Sequence, residues 1–269
     1  MDELKVSKEI IEFEKLYDEK EIEILAVTDA SGLGGGKGPK ENFWTASIGI
    51  LAWRENKEDS YINREKTFLR FQADDKFLDE MRNKIKKNSV VKLVVRRNEN
   101  SFMLCHPLEY DKKDDELEEI LAEELKPVVY IDDIFGEFNL DKSIDIFEKE
   151  INWCGESIRI SFDNDEENEI ESALKTGHAL YKDQEKWMER ICEFAAEELL
   201  ELKNDCWLED DEEEVTKEKF IETLELCDIV FESEGEFTFW FSDGDLFWGH
   251  SIIVEGNIDG TLNSAYIAG

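Results

Sequence analysis

Charge divides this chain near residue 110, and that break constrains its fold more than any other feature. Residues 1–110 carry 21 acidic and 19 basic side chains, a balance of −2. Of the 68 acidic and 32 basic residues in the whole chain, that leaves 47 and 13 for residues 111–269, a balance of −34. Such a jump marks a domain boundary. The 269 residues suit one large domain or two of ordinary size, and a hydrophobic share of 41% is enough to bury a core. We read 1–110 as one domain, 111–127 as a charged linker helix and 128–269 as a second, acidic domain.

The acidic half repels phosphate backbones, because nucleic-acid binding rests on counterion release to Lys and Arg. It also repels an anionic membrane surface. What it can attract is a basic protein surface, a cation or a metal. No apolar run approaches the ~20 residues of a membrane span. The opening MDELKVSKEIIEF is charged throughout, unlike a signal peptide. The five cysteines, Cys105, Cys154, Cys192, Cys206 and Cys227, form an odd set without a CxxC pair. They read as reduced thiols, which places the protein in the cytoplasm, and no pair has the spacing of a zinc finger. We assign no cofactor and no metal.

In the first half, EIEILAVT (21–28), TASIGILAW (45–53) and TFLRFQ (67–72) read as strands. DDKFLDEMRNKIKKN (74–88) then puts Phe77, Leu78, Met81 and Ile85 on one helical face, with acidic residues in its first turn and lysines in its last. VVKLVVRR (90–97) and SFMLCHPL (101–108) return to strand, joined by Asn-Glu-Asn. Three strands, a helix and two strands is the order of a five-stranded OB-like β-barrel. OB barrels often bind nucleic acid, and Arg82, Lys84, Lys86, Lys87, Lys92, Arg96 and Arg97 form a local basic patch beside Trp44, Trp53 and Phe71, which could stack bases. The lysines also stand where a helix end favours cations, so nucleic-acid binding ranks as an alternative only. SGLGGGKGPK (31–40) fails as a phosphate loop: Gly38 follows Gly36-Lys37 where a hydroxyl is required, and Ser31 stands where the first glycine belongs. It reads as an inter-strand loop.

The linker segment DKKDDELEEILAEELKP (111–127) places Leu117, Ile120, Leu121 and Leu125 at helical spacing before Pro127. VVYI and FGEFNL begin the second domain as strands, followed by SIRISF (157–162). DNDEENEIE (163–171) is not an EF-hand loop, because its sixth and twelfth places hold Asn168 and Leu174. Helices follow at about 166–182 and 183–202. The second carries the stripe Trp187, Ile191, Phe194, Ala195, Leu199 and Leu202, which reads as core. His178 lies on the packed side of the first and reads as structural. EDDEEE (209–214) reads as a solvated loop, and Thr216 as the cap of a third helix over 217–226.

The chain then ends in a meander of three or four antiparallel strands, giving an α+β class overall with a C-terminal antiparallel sheet. Asp243-Gly244 is a hairpin signal, since Gly accepts the positive φ of a tight turn. Alternation from Leu246 predicts Trp248 and His250 on one strand face with Ile252 and Val254. Asp243, Asp245, Trp248 and His250 are the candidate site residues. One use of them is a metal-assisted hydrolase centred on the Asp243–His250 hairpin; Asp259 sits in the turn at the other end of the strand. The words NDCW (204–207), DGDLFWGHSI (243–252) and AYIAG (265–269) resemble the C-terminal region of a bacterial family, domain of unknown function 2262, over roughly 128–269. That resemblance implies no established reaction and no catalytic residues. The FxGH and AxIxG endings are also similar to small bacterial proteins associated with toxin immunity. Together these features lead us to expect a non-catalytic binding or immunity-like protein that uses its acidic surface on a basic protein partner.

Overall fold

The structure is a computed structural model describing residues 3–109, 113–208 and 213–269. It divides into two compact units, Met1–Lys126 with Lys142–Ile144, and Pro127–Asp141 with Asp145–Gly269. In the first unit the elements are α1 (Glu3–Glu14), β1 (Glu21–Thr28), β2 (Gly34–Gly36), β3 (Trp44–Glu55), β4 (Thr67–Ala73), α2 (Asp75–Lys84), β5 (Val90–Arg97), β6 (Ser101–Leu108) and α3 (Asp115–Glu124). The strands run β1-β5-β6-β4-β3, and β3 pairs back onto β1 to close a five-stranded barrel. Only β4 and β6 are parallel. With α2 between its third and fourth strands, the barrel has the OB-type connectivity that the order of elements predicts.

Alternation explains the barrel core. Ile48, Ile50, Leu69, Phe71, Leu93 and Val95 point inward and are almost fully buried. Asp74 caps α2 by accepting the Phe77 amide, and Leu78 and Met81 close the barrel against solvent. Phe77, expected on the same face, is instead exposed. α3 packs Leu117 against Leu25, Val27, Ala52 and Val90, and its capping Asp114 is paired with Arg54.

Two of the three aromatic residues that could stack bases are buried. Trp53 and Phe71 belong to the core at 6% and 3% exposure, because the strand period turns them inward. Trp44 donates its indole N–H to Asp75 at 2.6 Å. Several residues of the basic patch have internal partners: Arg82 pairs with Asp79, Lys84 with Glu80, and Arg97 lies over the Trp53 ring. Arg96 donates to the carbonyls of Glu14, Tyr17 and Asp18, satisfying the C-terminal end of α1, a helix not expected from the sequence. The glycine-rich stretch expected as loop also contributes β2, which pairs with β3.

The second unit holds β7 (Val129–Asp132), β8 (Gly136–Asp141), β9 (Ile146–Trp153), β10 (Glu156–Asp163), α4 (Glu167–Lys182), α5 (Gln184–Cys206), α6 (Lys217–Thr223), β11 (Glu225–Phe231), β12 (Glu236–Ser242), β13 (Ser251–Asn257) and β14 (Leu262–Ala268). All eight strands lie in one sheet in chain order. The four C-terminal strands are antiparallel, as expected, but they continue a sheet begun by β7 to β10. β10 and β11 are parallel, and a parallel step needs a long crossover, which the three helices supply. Their apolar faces cover Ile158, Ile160, Phe162, Phe231, Phe237, Phe239 and Phe241. Ile191, Ala195 and Leu199 of the α5 stripe are buried, whereas Leu202 at its end is 36% exposed. Most of the acidic run 209–214 lies outside the described residues. Among the described residues, no helix is long and apolar enough to cross a membrane.

Candidate functional site

β12 and β13 pair from Glu236↔Asn257 to Ser242↔Ser251, which leaves Asp243 to His250 as the connection between them. The expected tight turn with strand resuming at Leu246 is therefore replaced by a wider one. Its cause is Asp243. This carboxylate, at 2% exposure, accepts the amides of Asp245 at 3.2 Å, Phe247 at 2.6 Å and Gly249 at 3.2 Å. Winding the backbone around one side chain puts Gly244, Asp245, Trp248 and Gly249 at φ of 53°, 74°, 57° and 84°. Gly244 has no alternative, since a Cβ there would lie 2.5 Å from Thr223 Cγ2.

The wound turn buries one pair of side chains and displays another. Leu246 and Phe247 enter the core, while Trp248 stays 60% exposed. A left-handed backbone is costly for a bulky residue, about 1–3 kcal/mol. It persists here because Asp243 fixes the residues on both sides. Trp207, which ends α5, meets Trp248 edge-on at 4.9 Å, Phe247 at 5.6 Å and His250 at 5.2 Å between ring centres. Lys203, itself 1% exposed, donates to the Trp207 carbonyl at 2.9 Å. Asn204 clamps both the amide and the carbonyl of Val215. The conspicuous Asn204 and Trp207 thus build the wall on which the turn rests.

His250 Nδ1 lies 2.5 Å from the Phe247 carbonyl. A carbonyl only accepts, so Nδ1 carries the proton and Nε2 is the remaining nitrogen. Gly269, at the chain's end, abuts the ring: a Cβ there would come within 2.9 Å of His250 Cδ2. The structure therefore groups Trp207, Trp248, His250 and Gly269. It does not gather the aspartates around the imidazole. Asp243 is committed to backbone amides, and Asp259 accepts the Thr261 amide in its own turn. Among the described residues, no group of three His, Cys, Asp or Glu side chains is placed to hold a metal.

One further titratable pair has no signature in the sequence. Asp132, buried at the end of β7, faces His178 Nε2 at 2.9 and 3.1 Å. It also accepts the amides of Ile134 and Phe135. Burial raises its pKa, but those amides and the imidazole together outweigh burial and hold it below the usual carboxylate range. The packed side of α4 marks His178 as structural; no local pattern marks Asp132 as its partner. On the opposite sign, burial pushes Asp228 up, only partly offset by its ion pair with Arg159.

Residues 132–267 match the family described as "Uncharacterized protein conserved in bacteria (DUF2262)". Residues 9–124 match a domain of unknown function, DUF7021. No curated protein and no solved structure matches the chain.

Proposed function

The chain belongs to the DUF2262 family of bacteria, whose match takes in more than half of its residues, and on that premise we propose that it acts by contact, as an immunity-like binding protein for a basic partner. The display of Trp248 carries this reading. An indole held at 60% exposure by a turn of left-handed residues is expensive to build, and rigid exposed tryptophans are preferred anchors of protein interfaces. Charge chooses the partner: a half-chain balance of −34 steers a basic surface into encounter and raises its on-rate. Asp243 supports binding over hydrolysis, because its oxygens already serve the turn and are not aimed at a reacting group. The thiols, all free in the structure, suit the reducing cytoplasm in which the reading places the protein.

The test is capture from a bacterial lysate at low salt with the full chain as bait. A basic protein should be retained, released as salt rises, and lost with Trp248→Ala, while the thermal midpoint of that variant stays near the parent's. Retention unchanged by Trp248→Ala, or no basic protein at all, removes the reading.

A further inference from the structure

Two loops of the barrel meet, the one between β3 and β4 (56–66) and the one between β5 and β6 (98–100). Hydrogen bonds hold both in place. Asn63 exchanges main-chain bonds with Trp53 at 2.8 and 2.9 Å, and Thr67 donates to the Asn100 carbonyl at 2.8 Å. Between the loops lies a cavity of about 160 Å³. Roughly 10–15 Å³ suffices for one water, so a small polyatomic ion has ample room. Trp53 and Phe102, both buried and crossed edge-to-face at 4.8 Å, line its inner side.

This cavity holds a surplus of unspent hydrogen-bond donors. Arg97 lies over the Trp53 ring at 5.2 Å, which fixes the plane of the guanidinium and leaves its edge to bind something else. Among the described residues that edge makes no hydrogen bond and no ion pair, although the chain has 68 acidic side chains for 32 basic ones. Glu55, which feels the charge of Arg97, is itself bonded to Lys57. Lys66 reaches only Asp29, at a long 3.8 Å, among the described residues. Asn98 gives its Oδ1 to the amides of Asn100 and Ser101 and to the Ser101 hydroxyl. Asn63 gives its Oδ1 to the Glu65 amide. A side-chain amide whose oxygen is committed presents its N–H donors to the next neighbour. Two cations and two such amides therefore line one cavity. Glu65 and Glu99 stand there too, both exposed, and neither pairs with Arg97 or Lys66.

We propose that this cavity is an oxyanion site that takes a phosphoryl group, free or as a monoester. The guanidinium fork grips two oxygens in its plane. Lys66 adds a second positive charge, and Asn63 and Asn98 donate to the remaining oxygens. Two cations favour a doubly charged phosphate over a singly charged carboxylate, because the attraction scales with the product of the charges. A nucleic-acid backbone fits poorly. It needs a row of cations along successive phosphates, whereas this cavity offers one seat with Glu65 and Glu99 beside it. The site lies in the first unit and stands apart from the contact reading of Trp248.

The test titrates the isotope-labelled full chain with sodium phosphate, acetate and chloride at matched ionic strength, followed by nuclear magnetic resonance. Phosphate should give saturable shifts at Arg97 Nε and at the backbone and side-chain amides of 63–67 and 97–101, in the millimolar range or below. Acetate should bind about tenfold more weakly, and chloride should show no saturation. Methyl phosphate separates the two sources. Bound as well as phosphate, it assigns the cavity to the phosphoryl end of a larger ligand; bound about tenfold less well, it assigns the cavity to the free ion. Arg97→Gln and Lys66→Gln, both at exposed positions, should each weaken phosphate about tenfold. Arg82→Gln, whose arginine pairs with Asp79 elsewhere on the barrel, should not. Phosphate and acetate compared on the unaltered chain decide the matter without any variant. Equal binding of the two, shifts that only track ionic strength, or a phosphate response that survives both substitutions each overturns the site. Trp248→Ala should leave phosphate binding unchanged, so failure here and failure of partner capture are read separately.

Discussion

At position 243 a single carboxylate organises a whole turn, and its removal tests that claim directly. Asp243→Ala strands the amide of Phe247 in the core and releases that of exposed Gly249. Hydrogen bonds to a charged acceptor are worth about 1.5–3 kcal/mol, and buried unpaired donors carry a similar penalty. We expect a loss of about 3 kcal/mol in urea unfolding. A change below about 0.5 kcal/mol would mean that the turn holds itself. Asp132 makes a pH prediction. Its folded pKa lies below the unfolded value of 3.8. It therefore contributes stability above that value and loses it as pH falls through the folded pKa. The stability gap between the parent and Asp132→Asn should be open at neutral pH and should narrow in acid; a gap independent of pH contradicts the pairing with His178.

Among elements, α4 is fitted to the sheet by an absence. A Cβ on Gly177 would lie 2.4 Å from the Phe231 ring. Alanine there gains about 1 kcal/mol of helix propensity, while overpacking costs about 1–3 kcal/mol. Phe231 is 1% exposed and has no room to yield, so overlap wins. Gly177→Ala should lower stability by about 1–2 kcal/mol in chemical denaturation, whereas a gain would show that the helix can lift. At this scale the sequence was most legible where one face is buried and periodicity is clean, as in β1, α2 and α5. It was least legible in β9, where Glu148, Lys149 and Glu150 interrupt the apolar pattern. The turn before β13 misled for a different reason. Leu246 to His250 alternates like a strand, and only the capture of three amides by Asp243 pulls it out of strand geometry.

For the whole molecule, charge is the controlling quantity. Self-repulsion weakens a compact state with large net charge, and residues 111–269 carry nearly all of it. Raising NaCl from about 0.05 M to about 0.5 M shortens the screening length to roughly a third. Amides in the second unit should then gain more exchange protection than those of the barrel, with the midpoint of its thermal transition rising by about 2–4 °C per kcal/mol recovered. Equal gains in both units would show that the acidic charge is already neutralised within the fold.

Periodicity, turn chemistry and charge are local properties, and from them follow the barrel's order of elements, the helix stripes, the C-terminal strands and the acidic half. Only the folded chain decides which residues meet across long separations. It closes β3 onto β1, joins β10 to β11 through three helices, sets Asp132 against His178, and brings Trp207 from α5 to Trp248 and His250. Those pairings depend on three-dimensional packing and on which backbone amides a buried carboxylate can reach, and no short window of sequence contains either.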